Sequence, residues 1–181
     1  MILNAKDNNF RVEFPRGYFY KEVCDKYEPI IKRMPIPYDN LRDYMNSSIQ
    51  SITFPSIEGP LVDQLILDDP VTWKGRGNVE RWMSRDFTIT FKLYEAYLNY
   101  WIMFEQLRYF YDYHTKDIAL PGITLQFLDN DGYEIIAFLF KQTVFYGISS
   151  IELSYGSNVP NFKTFTCSFK YNYPEILHRL D

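Results

Sequence analysis

Apolar and polar residues alternate near both ends of the chain, and the period becomes helical in the middle. NFRVEF, residues 9–14, sets Phe10, Val12 and Phe14 against Arg11 and Glu13, which predicts a half-buried strand closed by Pro15. Between Tyr18 and Met34, Phe19, Val23, Tyr27, Ile30 and Ile31 fall at helical spacing, so a short helix is expected even though Pro29 interrupts its backbone ladder. Asp39 or Asn40 can cap a second short turn in DNLRDYMNSS, after which SIQSITFPSI returns to extended structure with Pro55 as its stop.

The strongest local pattern is DFTITFKLYEAYLNYWIMFEQL. Phe87, Ile89, Phe91 and Leu93 alternate with Thr88, Thr90 and Lys92, and past Tyr94 the period changes. Leu98, Trp101, Ile102, Glu105 and Tyr109 then stand at helical spacings, with Tyr97, Phe104 and Leu107 widening the apolar side. A helix laying this aromatic face flat on a sheet is expected. PGITLQFLDNDGYEIIAFLFKQ reads as two strands joined at 129–132, because Gly132 after Asp131 accepts positive φ without steric cost.

Two further strands, TVFYGISSIELSYG and KTFTCSFKYNY, close the pattern around the turn SNVPN. In the first, Ile151, Leu153 and Tyr155 oppose Ser150, Glu152 and Ser154. In the second, Phe165, Cys167, Phe169 and Tyr171 oppose Thr164, Thr166, Ser168, Lys170 and Asn172. One face of each suits a core. The other carries small hydroxyls and a carboxylate, less apolar than a second core and less charged than an ordinary solvated surface. Residues 58–86 are the least regular: Gly75, Gly77 and Asn78 predict a turn with Trp73 and Trp82 on its two sides, as in a long hairpin or arm. Both Trp residues are equally compatible with folding back on the domain.

Composition narrows the function classes. At 181 residues a single domain is expected, and 46% hydrophobic with 19% aromatic residues describes a folded chain. A net charge of −4 argues against a surface built to grip phosphates. Cys24 and Cys167 lie far apart and read as reduced thiols. No apolar run approaches a membrane span and the first residues lack a secretion signal, so neither is expected. His114 and His178 stand alone, and no metalloprotease, serine-elbow or cysteine-nucleophile motif is present. Asp129 and Asp131 resemble the start of a calcium loop whose far end lacks an acidic residue, and GRG at 75–77 lacks the lysine of a phosphate loop. Neither enzymatic activity nor a cofactor or metal is expected.

The order of elements carries a resemblance. NFRVEF, SIQSITFPSI, the strand-to-helix unit DFTITFKLYEAYLNYWIMFEQL and the closing pair YGISSIELSYGSNVPNFKTFTCSFKYNY together resemble the tail tube proteins of contractile-tailed bacteriophages, relatives of the type VI secretion tube. The resemblance implies a mainly β (α+β) fold: an antiparallel β-sandwich or part-barrel with one long helix packed on it, an extended arm at 61–85, and an addition at 16–40. It implies a structural virion protein made in the host cytoplasm. Homohexameric rings would stack into a tube, bound by sheath and baseplate proteins, with viral DNA passing non-specifically through the lumen. On that basis Ser150, Glu152, Ser154, Thr164, Thr166 and Ser168 are expected to face the lumen. Trp73, Arg76 and Trp82 are expected at contacts between rings. A tube-initiating baseplate or terminator protein of the same fold is the nearest alternative, and a ligand-binding β-barrel is the second, although its inner face should be apolar.

Overall fold

The alternating segments pair into one antiparallel sheet. The computed structural model describes residues 8–56, 61–65, 72–76, 85–112, 114–151 and 163–178. In chain order its elements are β1 (Phe10–Glu13), α1 (Lys21–Ile31), α2 (Leu41–Ser48), β2 (Ile49–Thr53), β3 (Leu61–Leu65), β4 (Thr72–Arg76), β5 (Asp86–Lys92), α3 (Leu98–Phe110), β6 (Ile123–Leu128), β7 (Glu134–Ile148) and β8 (Thr164–His178). Six strands form a sheet in the order β1-β6-β7-β8-β5-β2, and β3 pairs with β4 in a separate two-stranded sheet.

Register in the sheet is set by rows of phenylalanine. Phe87 stands directly opposite Phe169 and Phe91 opposite Phe165, while Phe145 flanks Phe169 from β7. These pairs stack at 5.2, 5.1 and 4.9 Å between ring centroids. Cross-strand aromatic pairs stabilise a sheet, and a slip of one residue would turn every ring to the other face. The sheet curls. At its β1 end the backbone N–H of Phe14 donates to Asn46 Oδ1 on α2 at 3.0 Å, and at its β2 end Phe54 meets Phe127 and Phe138 at 6.0 and 4.9 Å. First and last strands therefore approach each other, giving the part-barrel expected from the resemblance.

The helices cover the apolar face. Asn40 caps α2 by accepting from the Asp43 N–H at 2.8 Å, as its position before an amphipathic turn predicts. Val23, Tyr27 and Ile31 of α1 are buried, and Pro29 lies inside the last turn, two residues before the helix stops. The hairpin between β6 and β7 turns where expected: Gly132 has φ 88°, and the Asp129 carboxylate accepts from the N–H groups of Asp131 and Tyr133 at 2.9 and 2.8 Å.

Three expectations are corrected. First, the buried side of α3 is Leu98, Asn99, Ile102, Met103, Gln106 and Phe110, whereas Trp101 and Phe104 are 49% and 42% exposed. Two amides rotate the face. Asn99 Nδ2 donates to Lys92 O at 2.6 Å and Asn99 Oδ1 accepts from Tyr94 N at 3.3 Å, tying the crossover where Ala96 and Tyr97 adopt positive φ. Gln106 Nε2 donates to Tyr18 O at 2.9 Å and Gln106 Oε1 accepts from Tyr20 N at 3.0 Å, anchoring the chain as it enters α1. Second, β7 is one strand of 15 residues where two were expected. Gln142, at φ 52°, switches the inward positions from Phe138 and Phe140 to Thr143 and Phe145. Third, β3 and β4 form a hairpin in which Gly75 sits inside β4, opposite Val62. Gly75, expected in a turn, is therefore a strand residue, while Gly77, Asn78 and Trp82 lie outside the described residues.

Candidate functional site: a hydroxyl face and open sheet edges

The register that stacks phenylalanines inside also aligns hydroxyls on the opposite face. One row runs Thr53–Thr88–Ser168 and the next Ser51–Thr90–Thr166, across β2, β5 and β8. Thr88 Oγ1 donates to Thr53 Oγ1 at 3.0 Å, and the hydroxyls of Thr90 and Thr166 lie 3.3 Å apart. Just beyond β7, Ser149 extends the second row: its N–H donates to Thr166 O at 2.8 Å and its Oγ accepts from Thr166 N at 2.9 Å. The rows end in charge, at Lys92 opposite Thr164 and at Asp86 opposite Lys170, the latter pair 3.5 Å apart and exposed. Between those ends the face is neutral. Each hydroxyl donates one hydrogen bond and accepts two, so the ladder leaves acceptors free for water.

The residues expected on the polar face are placed as follows. Thr164, Thr166 and Ser168 share the face opposite buried Phe165, Cys167 and Phe169. Ser150 is exposed past the end of β7. Glu152 and Ser154 lie outside the described residues, as does Trp82. Trp73 and Arg76 are on β4, opposite Gln64 and Leu61, and no pairing joins β3–β4 to the large sheet among the described residues. The reading from sequence missed Ser51, Thr53, Thr88 and Thr90 as members of the face. Their alternation was visible, but only the register brings them into line with Thr166 and Ser168.

Three strand edges are open among the described residues. β1 pairs with β6 alone and β2 with β5 alone. Tyr171 N donates to Arg85 O at 3.0 Å, and beyond it β8 loses β5 and pairs only with β7 as far as His178. Pro174, which cannot donate to a ladder, is tolerated on such an edge. Tyr173 and Ile176 there are 51% and 52% exposed. An open edge with large apolar side chains templates association unless something covers it.

Nothing in the described residues converges as catalytic machinery does. They contain no cluster of His, Cys, Asp and Glu able to hold a metal. Burial pushes the thiols of Cys24 and Cys167 up, which keeps both protonated and weakly nucleophilic at neutral pH. No helix among them is long and apolar enough to cross a membrane.

Neither a protein-family model nor a curated protein matches the sequence. Solved structures do match its fold. A chain of the six-fold symmetrised anti-feeding prophage baseplate superposes with a TM-score of 0.56 at 11% identity, covering 100% of both chains. A chain of the tube-terminating cap of the same particle gives 0.60 at 9% identity over 98% of this chain and 93% of that one. A chain of the sheath–tube complex of an extracellular contractile injection system, PVC, gives 0.54 at 10% identity over 97% and 92%. The chain has the fold shared by tube, cap and baseplate proteins of contractile injection systems. This agrees with the tail tube resemblance carried by NFRVEF, the strand-to-helix unit and the closing pair of strands.

Proposed function

We propose that the chain is a structural subunit of a contractile tail or injection particle, closing with copies of itself into a six-membered ring around a bore. The observation that carries this reading is the neutral hydroxyl face on β2, β5 and β8, flanked by open strand edges. Strands from neighbouring copies can join at those edges, and a heterologous contact whose rotation closes makes a ring without exposed edges. A DNA duplex carries one charge per roughly 1.7 Å of axis, so a bore rich in Lys and Arg would hold it by counterion release. Hydroxyls and a few carboxylates would let it pass. Ser150, Glu152, Ser154, Thr164, Thr166 and Ser168 line the bore in this reading, now joined by Ser51, Thr53, Thr88 and Thr90. Trp73, Arg76 and Trp82 meet the next ring, and sheath and baseplate proteins are the outer partners. The particle is a phage tail or a related device. The stacked phenylalanines that fill the space beneath the sheet favour this role over a ligand-binding barrel.

A terminal ring, capping the tube or joining it to the baseplate, is the second reading. It is favoured by the likeness to the cap chain, whose TM-score of 0.60 exceeds the 0.54 against the sheath–tube chain. Electron microscopy of the purified chain tests both. Stacked rings of uniform bore support the tube, and single rings support the terminal role. Rings whose bore is lined by α3 instead of β5 and β8 would defeat the proposal. In an assembled particle, Glu152→Lys and Thr166→Lys should leave rings intact and slow DNA delivery; unchanged delivery removes the lining assignment.

A further inference from the structure

The chain passes from β5 to α3 through two residues whose side chains disfavour the backbone shape they adopt. Ala96 (φ 56°, ψ 13°) and Tyr97 (φ 56°, ψ 28°) are both left-handed, although neither is glycine, asparagine or aspartate. Tyr97 N donates to Tyr94 O at 3.0 Å and Leu98 N donates to Glu95 O, so two tight turns overlap. Both central residues of the second turn have positive φ, which Gly, Asn and Asp normally supply. Alanine is instead the strongest helix former, and Glu95 stands where a carboxylate suits a helix N-terminus. Local preference and observed shape disagree. The shape is held from outside: buried Asn99 ties Lys92 O and Tyr94 N, and the Tyr94 hydroxyl donates to Ser47 O on α2 at 2.9 Å. Glu95, Ala96 and Tyr97 themselves are exposed, so no packing around them compels it.

We propose that this crossover is a two-state joint: α3 is held short here, and when the ties at Tyr94 are released it begins at Ala96 instead of Leu98. Reversing the sign of φ at Ala96 and Tyr97 removes the strain at both, and winding them into the helix supplies carbonyls to first-turn N–H groups that no earlier turn serves. Against that stand three hydrogen bonds, two to the Asn99 side chain and one to Ser47 O. The opposing terms are of comparable size, so a small force on the crossover decides between the two arrangements. A turn meant to be permanent would carry glycine or asparagine at these positions. The joint also changes what α3 shows outward. Once in the helix, Tyr97 stands at i with Trp101 at i+4 and Phe104 at i+7, which puts it on their exposed face. The inference does not depend on ring formation.

The test is amide hydrogen exchange of the whole chain, read by NMR at Tyr94 and Tyr97, together with thermal melting. The N–H bonds of these two residues belong to the short arrangement. Ala96→Gly relieves the left-handed strain and weakens the helix, so it favours the short arrangement. It should raise the midpoint by about 2–4 °C and slow exchange at both amides at least about tenfold. Ala96→Pro forbids positive φ and suits the first position of a helix, so it drives the long arrangement. That variant should fold cooperatively, melt within about 5 °C of the parent and lose protection at both amides at least about tenfold. A proline variant that fails to fold or melts lower than that shows that the chain has no second path, and overturns the proposal. So does Ala96→Gly that leaves the midpoint unraised, or leaves exchange at Tyr94 and Tyr97 unchanged or faster. The glycine variant keeps the test readable on its own, because an exposed residue at φ 56° accepts glycine without repacking.

Discussion

β5–β8 and α3 are both two-faced, yet they place polar residues on opposite sides. In the strand pair the buried side holds Phe87, Ile89, Phe91, Phe165, Cys167 and Phe169, and every serine and threonine hydroxyl is on the other side. In α3 the buried side includes Asn99 and Gln106, while Trp101 and Phe104 face out. The difference follows from who satisfies the backbone. Strands satisfy their N–H and C=O groups across the ladder, so their inward side chains are free to be wholly apolar. α3 covers two places where the chain leaves regular structure, at Lys92–Tyr94 and Tyr18–Tyr20, and side-chain amides must supply the missing partners. The buried amides of Asn99 and Gln106 serve chain crossings; the hydroxyls on the sheet face are left free for what lies outside it.

The comparison breaks most visibly at Phe169, which stacks on Phe87 and Phe145 with no exposed surface. Phe169→Ala should cost about 3–5 kcal/mol in urea unfolding, whereas Ser168→Ala next to it should stay within about 0.5 kcal/mol. Equal losses at the two positions would mean that the hydroxyl face is part of the subunit's own stability. Next in size is Gln106→Leu, at about 2–4 kcal/mol. Each of the two orphaned backbone groups costs roughly 1–3 kcal/mol, and the added apolar contact recovers part of it. Trp101→Ser, one turn away on the exposed side, should leave the unfolding midpoint of the isolated subunit nearly unchanged.

The same comparison explains what could be read from sequence. Period-2 alternation revealed β1, β5 and β8 with their inward residues, and Asn40 and Gly132 marked a cap and a turn, because each is a local rule. The inner face of α3 was misread because apolar content was taken as burial, and the need for Asn99 and Gln106 arises from segments distant in sequence or irregular in path. The hydroxyl rows were half legible: each strand showed its polar side, but Thr53–Thr88–Ser168 exists only through pairing. Gln142 offered no signal at all, since its positive φ breaks the alternation of β7 without a glycine.

A pH series sharpens the contrast between interior and surface. Burial pushes the phenols of Tyr18, Tyr44 and Tyr171 and the thiol of Cys167 above their ordinary values. These groups become anions on losing a proton, so the folded chain keeps protons that the unfolded chain releases. Stability from this source is complete below about pH 8.5 for thiols and 10 for phenols, and it declines as pH rises further towards the folded values. Thermal midpoints should therefore be flat with respect to these groups from neutrality to about pH 8.5 and then fall. Tyr44→Phe, which removes an unpartnered buried hydroxyl, should hold or raise the neutral midpoint and soften the alkaline decline. A variant that melts earlier at neutral pH would show that this hydroxyl has a partner within the subunit.

The smallest expected effect is the most informative about function. Thr90 and Thr166 face each other across β5 and β8 with their hydroxyls 3.3 Å apart, both half-buried and neither needed by the backbone. Replacing both with Val keeps the shape and the β-branching that strands favour, and removes donor and acceptor together. Because no partner is orphaned, the double variant should unfold within about 1 kcal/mol of the parent, and it could be slightly more stable on the β-propensity scale. If the face were there to hold the subunit together, the loss would exceed that. If instead it is a wall kept wet for something passing over it, stability stays and the defect shows only in the assembled particle. There two Val side chains in each subunit would give the bore an apolar band, and material crossing it should be delivered more slowly from intact rings.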